Sequence, residues 1–280
     1  MAGRQLSYCA QELRRLDHDR YLVSLFAPEA VREDLFALFG FNLELARTAE
    51  MVREPMLGRI RLQWWRETLD AITAGGTVAH GVAQPLAAAL GGGLRRRELD
   101  RLIDAREFDL EGRAPATLDA LESYAAATSA TLLRAALEVL GPQDVAHRTA
   151  AERAGVAYAL VGLLRAVPFH AGQRRLYLPE DLQEEAGLRS AELFELRSSP
   201  ALRQVVERIA ARAEQHLGAA RAAAHGTSRA ARPVLLHATL ADRGLAVLRR
   251  AGNDPFAAVV QRRDPGRVWR LTWASLTGRF

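Results

Sequence analysis

Residues 20–51 read RYLVSLFAPEAVREDLFALFGFNLELARTAEM. Pro28 looks like a first-turn proline, and the acid after it suits a helix N-terminus. Beyond it, apolar residues recur at three- and four-residue spacings, the period of a helix. That period places Asn42, Ala46 and Glu50 on one face. The same spacing governs the rest of the chain and predicts helices over 4–16, 29–51, 56–74, 82–90, 94–110, 118–140, 144–166, 201–225, 232–251 and 267–276. Between them stand Gly75-Gly76, Gly91-Gly92-Gly93, Gly141-Pro142 and Asp254-Pro255. Pro179 opens a further helix as Pro28 does. No alternating β-branched run, long linker or internal repeat stands out. The expectation is an all-α chain forming one domain over residues 1–280.

Composition bounds the function. A chain of 280 residues, 49% hydrophobic and 25% charged, is globular and long enough to enclose a cavity. It has no lysine, and its net charge is a modest +5. The arginines are interleaved with acids and form no arginine–aromatic stripe, which argues against a nucleic-acid partner. A basic surface meeting anionic lipid fits better. The lone Cys9 can make neither an internal disulfide nor a zinc site, so a reducing compartment is expected. Residues 1–9 hold no apolar signal core, and no apolar run is long enough to span a membrane. The expected location is cytoplasmic, with peripheral contact at the inner membrane.

Three further stretches carry signal: RLQWWRETLDAI (61–72), LIDAREFDLEGR (102–113) and AYALVGLLRAVPFHAGQRRLYLPEDL (157–182). With residues 20–51, in this order, they resemble the squalene/phytoene synthase family over most of the chain. WWRE, FDLEG and YLPEDL are the most specific parts. The resemblance implies an isoprenoid-synthase-like helical bundle around a central cavity. In active members, aspartate-rich motifs on two facing helices hold magnesium ions, which grip the diphosphates of two prenyl substrates. Mg²⁺ prefers octahedral oxygen ligands, and it neutralises the leaving group as the allylic cation forms.

The chain departs from that pattern at both motifs. The first should fall on Ala46-Arg47-Thr48-Ala49-Glu50, where only Glu50 is acidic. The second should fall on residues 165–170, where Ala166, Phe169 and His170 replace acids while Arg165 matches the family. Pro168 should end the helix near Ala166. FNLELA, LQWWRETLDAI and LRAVPFHAGQRRLYLPEDL resemble one subgroup more closely. It contains the mitochondrial complex I assembly factor of squalene/phytoene synthase type and its bacterial relatives. That resemblance implies a protein without catalysis or cofactor that supports assembly of NADH:quinone oxidoreductase, with complex I subunits or assembly intermediates as partners. Two alternatives stand beside it. One is a prenyl transferase condensing two prenyl diphosphates head-to-head with Mg²⁺. The other is a module that binds an isoprenoid or lipid in the cavity.

The candidate cavity residues are Asn42, Arg47, Glu50, Trp64, Tyr158, Arg165, His170 and Tyr177. Arg47 either contacts an anion, helped by Arg165, Arg174 or Arg175, or pairs with Glu44 or Glu50. Trp64 and Trp65 point in different directions, so at most one lines the cavity. His170 is either a ligand contact or a backbone-satisfied histidine, and Tyr177 either a site residue or a turn anchor. Asp109 fits a buried hydrogen-bonding acid. Asp100 and Asp104 have the spacing of a metal motif, yet Arg97, Arg101 and Arg106 surround them, so they read as a solvated face. In RVWRLTWASLTGRF (267–280), Trp269 and Trp273 form an aromatic stripe beside an apolar one. The segment either closes the core or lies on a membrane or partner surface.

Overall fold

The computed structural model describes residues 6–52, 54–141, 144–225, 229–262 and 264–280, and no strand occurs among them. Side-chain caps set many helix starts. Ser7 accepts from the Ala10 amide and opens α1 (Tyr8–Leu16). Asp17 accepts from the Arg20 amide and opens α2 (His18–Ser24). Pro28 precedes α3 (Glu29–Ala46), and Arg47 joins it to α4 (Thr48–Met51). Then follow α5 (Pro55–Thr73), α6 (Ala83–Gly91), α7 (Arg96–Ala105) and α8 (Phe108–Glu111), the last ended by left-handed Gly112. The Thr117 cap opens α9 (Leu118–Ala125), which passes through a π turn, Ala126–Ala130, into α10 (Thr131–Val139). Asp144 caps α11 (Val145–Arg165). Beyond it lie α12 (Val167–Gly172), α13 (Glu180–Ala186), α14 (Ser190–Phe194) and α15 (Pro200–Ala224). A 3₁₀ turn, Arg229–Ala231, leads into α16 (Arg232–Arg250), followed by α17 (Ala258–Gln261) and α18 (Arg267–Thr277).

Several boundaries differ from the sequence expectation. The helix expected over 29–51 breaks at Arg47, and that over 94–110 breaks between α7 and α8. The helix expected over 118–140 carries the π turn. Pro168 does end α11, but it then sits in the first turn of α12, where its missing N–H is tolerated. The first residues of the helix expected over 4–16 and Pro142 lie outside the described residues. The short helices α2, α14 and α17 show too few turns for periodicity to reveal them.

Two helices form the interior. Residues Leu35 to Asn42 of α3 are buried in unbroken succession, as in a helix enclosed on all sides. It packs on α1, α6 and α10. α11 buries an alanine-rich surface against α15, α16 and the π turn. Small residues let these backbones approach. A Cβ at Gly155 would sit 2.6 Å from the Ala130 Cα, and one at Gly244 would sit 2.4 Å from a Val161 methyl. Buried apolar residues run from Cys9 to Ala274 in one continuous core. No helix among the described residues is long and apolar enough to cross a membrane.

The Gly155 contact is backbone on backbone, so it cannot be relieved by a rotamer change. Gly155→Val is therefore expected to lower unfolding free energy by about 1–3 kcal/mol through overpacking. Urea denaturation midpoints of the two proteins measure it.

Candidate functional site

A cavity of about 470 Å³ opens between α3–α4 on one side and α11–α12 on the other. Asn42, Ala46 and Glu50 line the first side, and Tyr158, Arg165, Ala166, Phe169 and His170 line the second. The two stretches singled out in the sequence thus face one space. Asn42, Ala46 and Glu50 keep their common face across the break at Arg47, because the backbone there stays right-handed helical. Asp19 and Arg20 of α2 and Leu240 and Ala241 of α16 complete the walls.

The inner end rests on a buried polar network. The Asp109 carboxylate accepts from Arg106 Nη1 (3.1 Å), the Tyr124 hydroxyl (2.7 Å) and the Tyr177 hydroxyl (2.9 Å). Arg106 also donates to Tyr124 Oη (3.1 Å) and to Asn42 Oδ1 (3.4 Å). Burial raises the Tyr124 and Tyr177 hydroxyl pKa values, and the neighbouring Asp109 charge raises them further, so both stay protonated donors. Tyr177 therefore stands behind the cavity wall, anchoring the turn before α13 to Asp109. Its ring lies 4.6 Å from that of His170, whose pKa burial lowers to about 4. His170 thus faces the cavity as a neutral imidazole at physiological pH.

A second cluster forms the opposite wall. Arg20 pairs with Asp17, the cap of its own helix, and lies 5.3 Å from the Tyr158 ring centroid. Tyr158 meets His237 edge-on at 4.9 Å. Asp19 pairs with Arg267 of α18. Arg165 lines the cavity and makes no ion pair among the described residues. Three donors here are buried without a hydrogen-bond partner in the structure: Arg20 Nε, Arg106 Nε and Ser129 Oγ. All three belong to cavity-lining residues.

Two candidates stand elsewhere. Arg47 does not line the cavity, because it follows Ala46 by 100° of helical rotation and caps α3. It makes no ion pair among the described residues, since Glu44 is taken by Arg61. Of its suggested helpers, Arg175 donates to the Ala49 carbonyl and Arg174 lies over the Phe194 ring. Trp64 is partly exposed against His80. Trp65 takes the inward direction and is fully buried on Phe41, so neither indole reaches the cavity. The spacing Asp100/Asp104 belongs to ion pairs with Arg96 and Arg66. Sequence reasoning missed Arg20, Arg106, Tyr124 and Ser129. Arg20 had a trace in the Asp17 cap and Arg106 in its place before FDLEG, but nothing in the sequence marks Tyr124 or the π turn holding Ser129.

An all-α bundle with facing helix ends around one cavity defines an isoprenoid-synthase fold. The squalene/phytoene synthase family profile matches residues 13–274, and the chain belongs to that family. It is 33% identical over 262 residues to NADH dehydrogenase (ubiquinone) complex I, assembly factor 6, of Bos taurus, covering 92% of this chain and 78% of that one. It is 28% identical over 204 residues to a presqualene diphosphate synthase of Sinorhizobium fredii, covering 70% of each. Its backbone is similar to that of a squalene synthase from Alicyclobacillus acidocaldarius, with a TM-score of 0.77 at 20% identity over 88% of this chain and 94% of that one.

Two stability predictions arise from these clusters. Asp109→Ala strands a buried guanidinium and is expected to cost about 3–5 kcal/mol. Asp109→Leu with Arg106→Met removes both charges and should recover part of that loss in denaturant titrations, the remainder reflecting the Tyr124, Tyr177 and Asn42 groups left without partners. His237 is held neutral, its pKa lowered from 6.5 to about 4 by burial and then by Arg20. A lowered folded-state pKa means its contribution is complete above pH 6.5 and disappears as pH falls to about 4. The span is worth about 3 kcal/mol, so His237→Phe should flatten the acid limb of the stability profile by that order.

Proposed function

We propose that this chain is a non-catalytic member of its family that supports assembly of respiratory complex I. The observation that carries the proposal is the donor set on the two facing helix ends. Ala46 and Ala166 bring no ligand atom, Phe169 brings a ring, and His170 a neutral imidazole. Glu50 is the one carboxylate on these two faces, and the Asn42 oxygen is already engaged by Arg106. Asp19, on the neighbouring wall, is held by Arg267. Among the described residues no three His, Cys, Asp or Glu side chains gather as a metal-ligand group. A magnesium–diphosphate cluster needs several oxygen ligands at each end, and these residues do not fit one.

The assembly role draws support from the identity to complex I, assembly factor 6, which extends over nearly the whole chain. The likeness to presqualene diphosphate synthase is lower and covers less of it. The partners on this reading are complex I subunits or assembly intermediates. The cavity favours one further element, a bound isoprenoid or other lipid with acceptor atoms at one end. Leu240, Ala241 and Phe169 give it apolar wall, and the Arg165 side chain, which makes no ion pair among the described residues, supplies a cation to the same space.

Deleting the gene in its host is expected to lower NADH:quinone oxidoreductase activity in isolated membranes, with recovery on re-expression. Unchanged activity would contradict the role. Purified protein given farnesyl or geranylgeranyl diphosphate with Mg²⁺ should release no pyrophosphate, and release would return the chain to the catalytic members.

A further inference from the structure

We propose that the outer face of α18 is a docking surface for an anionic lipid bilayer. The helix has two unlike sides. Leu271 and Ala274 are buried and hold it against α16. On the other side Trp269 is 80% exposed, Trp273 66% and Leu276 71%, with Val268 beside them at 52%. Residues 269, 273 and 276 follow i, i+4, i+7, so they form one ridge along the helix.

This exposure is not the fraying of a chain end. Arg232 donates to the carbonyls of Ser275 and Leu276, capping the last turn. Left-handed Gly278 closes the helix through its amide to the Ala274 carbonyl at 2.8 Å. At the other end Arg267 pairs with Asp19, and Arg270 pairs with Asp264. The ridge is a held surface with two indoles in water, and such a surface marks an interaction site.

Charge and shape select the occupant. α18 carries no acidic residue. Arg262 before it and Arg279 after it are exposed and make no ion pair among the described residues. Indoles suit the headgroup level of a bilayer, where the ring is apolar and its N–H stays wet, and exposed guanidiniums on the segments flanking the helix can meet anionic headgroups. A bilayer interface can take the whole ridge, both indoles and Leu276 together, at headgroup depth. The docking helix is also tied to the cavity, because Asp19, the partner of Arg267, lines the cavity wall. Gln261 of α17 adds a hydrogen bond to the Arg165 carbonyl at 3.0 Å.

The test is co-sedimentation of the full-length protein with vesicles of phosphatidylcholine alone or with phosphatidylglycerol added. The protein is expected to sediment with the anionic vesicles and to partition several-fold less onto neutral ones. Trp269→Ala with Trp273→Ala should lower binding to anionic vesicles by about tenfold or more. Arg262→Ala with Arg279→Ala should remove much of the preference for phosphatidylglycerol. Both pairs are exposed, so circular dichroism and thermal midpoint should match the parent. A second readout is quenching of tryptophan fluorescence by brominated lipid. It should be strong in the parent and lost in Trp269→Phe with Trp273→Phe, which keeps Trp64 and Trp65. A parent protein that stays in the supernatant with anionic vesicles overturns the proposal. So does tryptophan-pair binding or quenching equal to the parent's.

Discussion

The buried pair of Asp109 and Arg106 is the constraint around which this molecule is organised. A carboxylate and a guanidinium removed from water lose several kcal/mol of hydration each, and their mutual attraction with added hydrogen bonds must offset that loss. Here the partners come from four places: the α7–α8 turn, Tyr124 of α9, Tyr177 before α13 and Asn42 of α3. Those segments lie far apart in the chain and must all be seated for the pair to be satisfied. Once they are, α3 and the end of α11 face each other and the cavity between them has a floor.

What stands on the facing ends then decides the chemistry. Alanines at 46 and 166 leave space and no ligand atoms, and Phe169 and His170 fill part of the rest. The positive charge of Arg20 and Arg106 is answered locally by Asp17 and Asp109, while Arg165 remains without an ion pair among the described residues. On the proposed reading, such a cavity suits binding and assembly better than leaving-group chemistry, which needs a concentrated counter-charge as the diphosphate departs.

Much of this was legible beforehand. Long helices announced themselves by period and caps, and the common face of Asn42, Ala46 and Glu50 followed from spacing alone. Asp109 could be named as a buried acid from its place in FDLEG. Its partners could not be identified, because Tyr124 and Tyr177 meet it only through tertiary packing. Arg47 lies off the cavity wall although it falls within the 46–50 motif, because a single residue of helical rotation separates it from Ala46. Trp64 and Trp65, expected to point in different directions, instead meet edge-to-face at 4.9 Å and both pack on His80, and neither lines the cavity. The C-terminal segment closes the core with one face and leaves its aromatic face exposed.

On the proposed reading, the cavity holds its ligand without magnesium. Isothermal titration of the purified protein with a non-hydrolysable prenyl thiodiphosphate, in Mg²⁺ and again in EDTA, addresses it most directly. The account predicts the same affinity, or the same absence of binding, in both buffers. Binding that appears with Mg²⁺ and disappears with EDTA would contradict it.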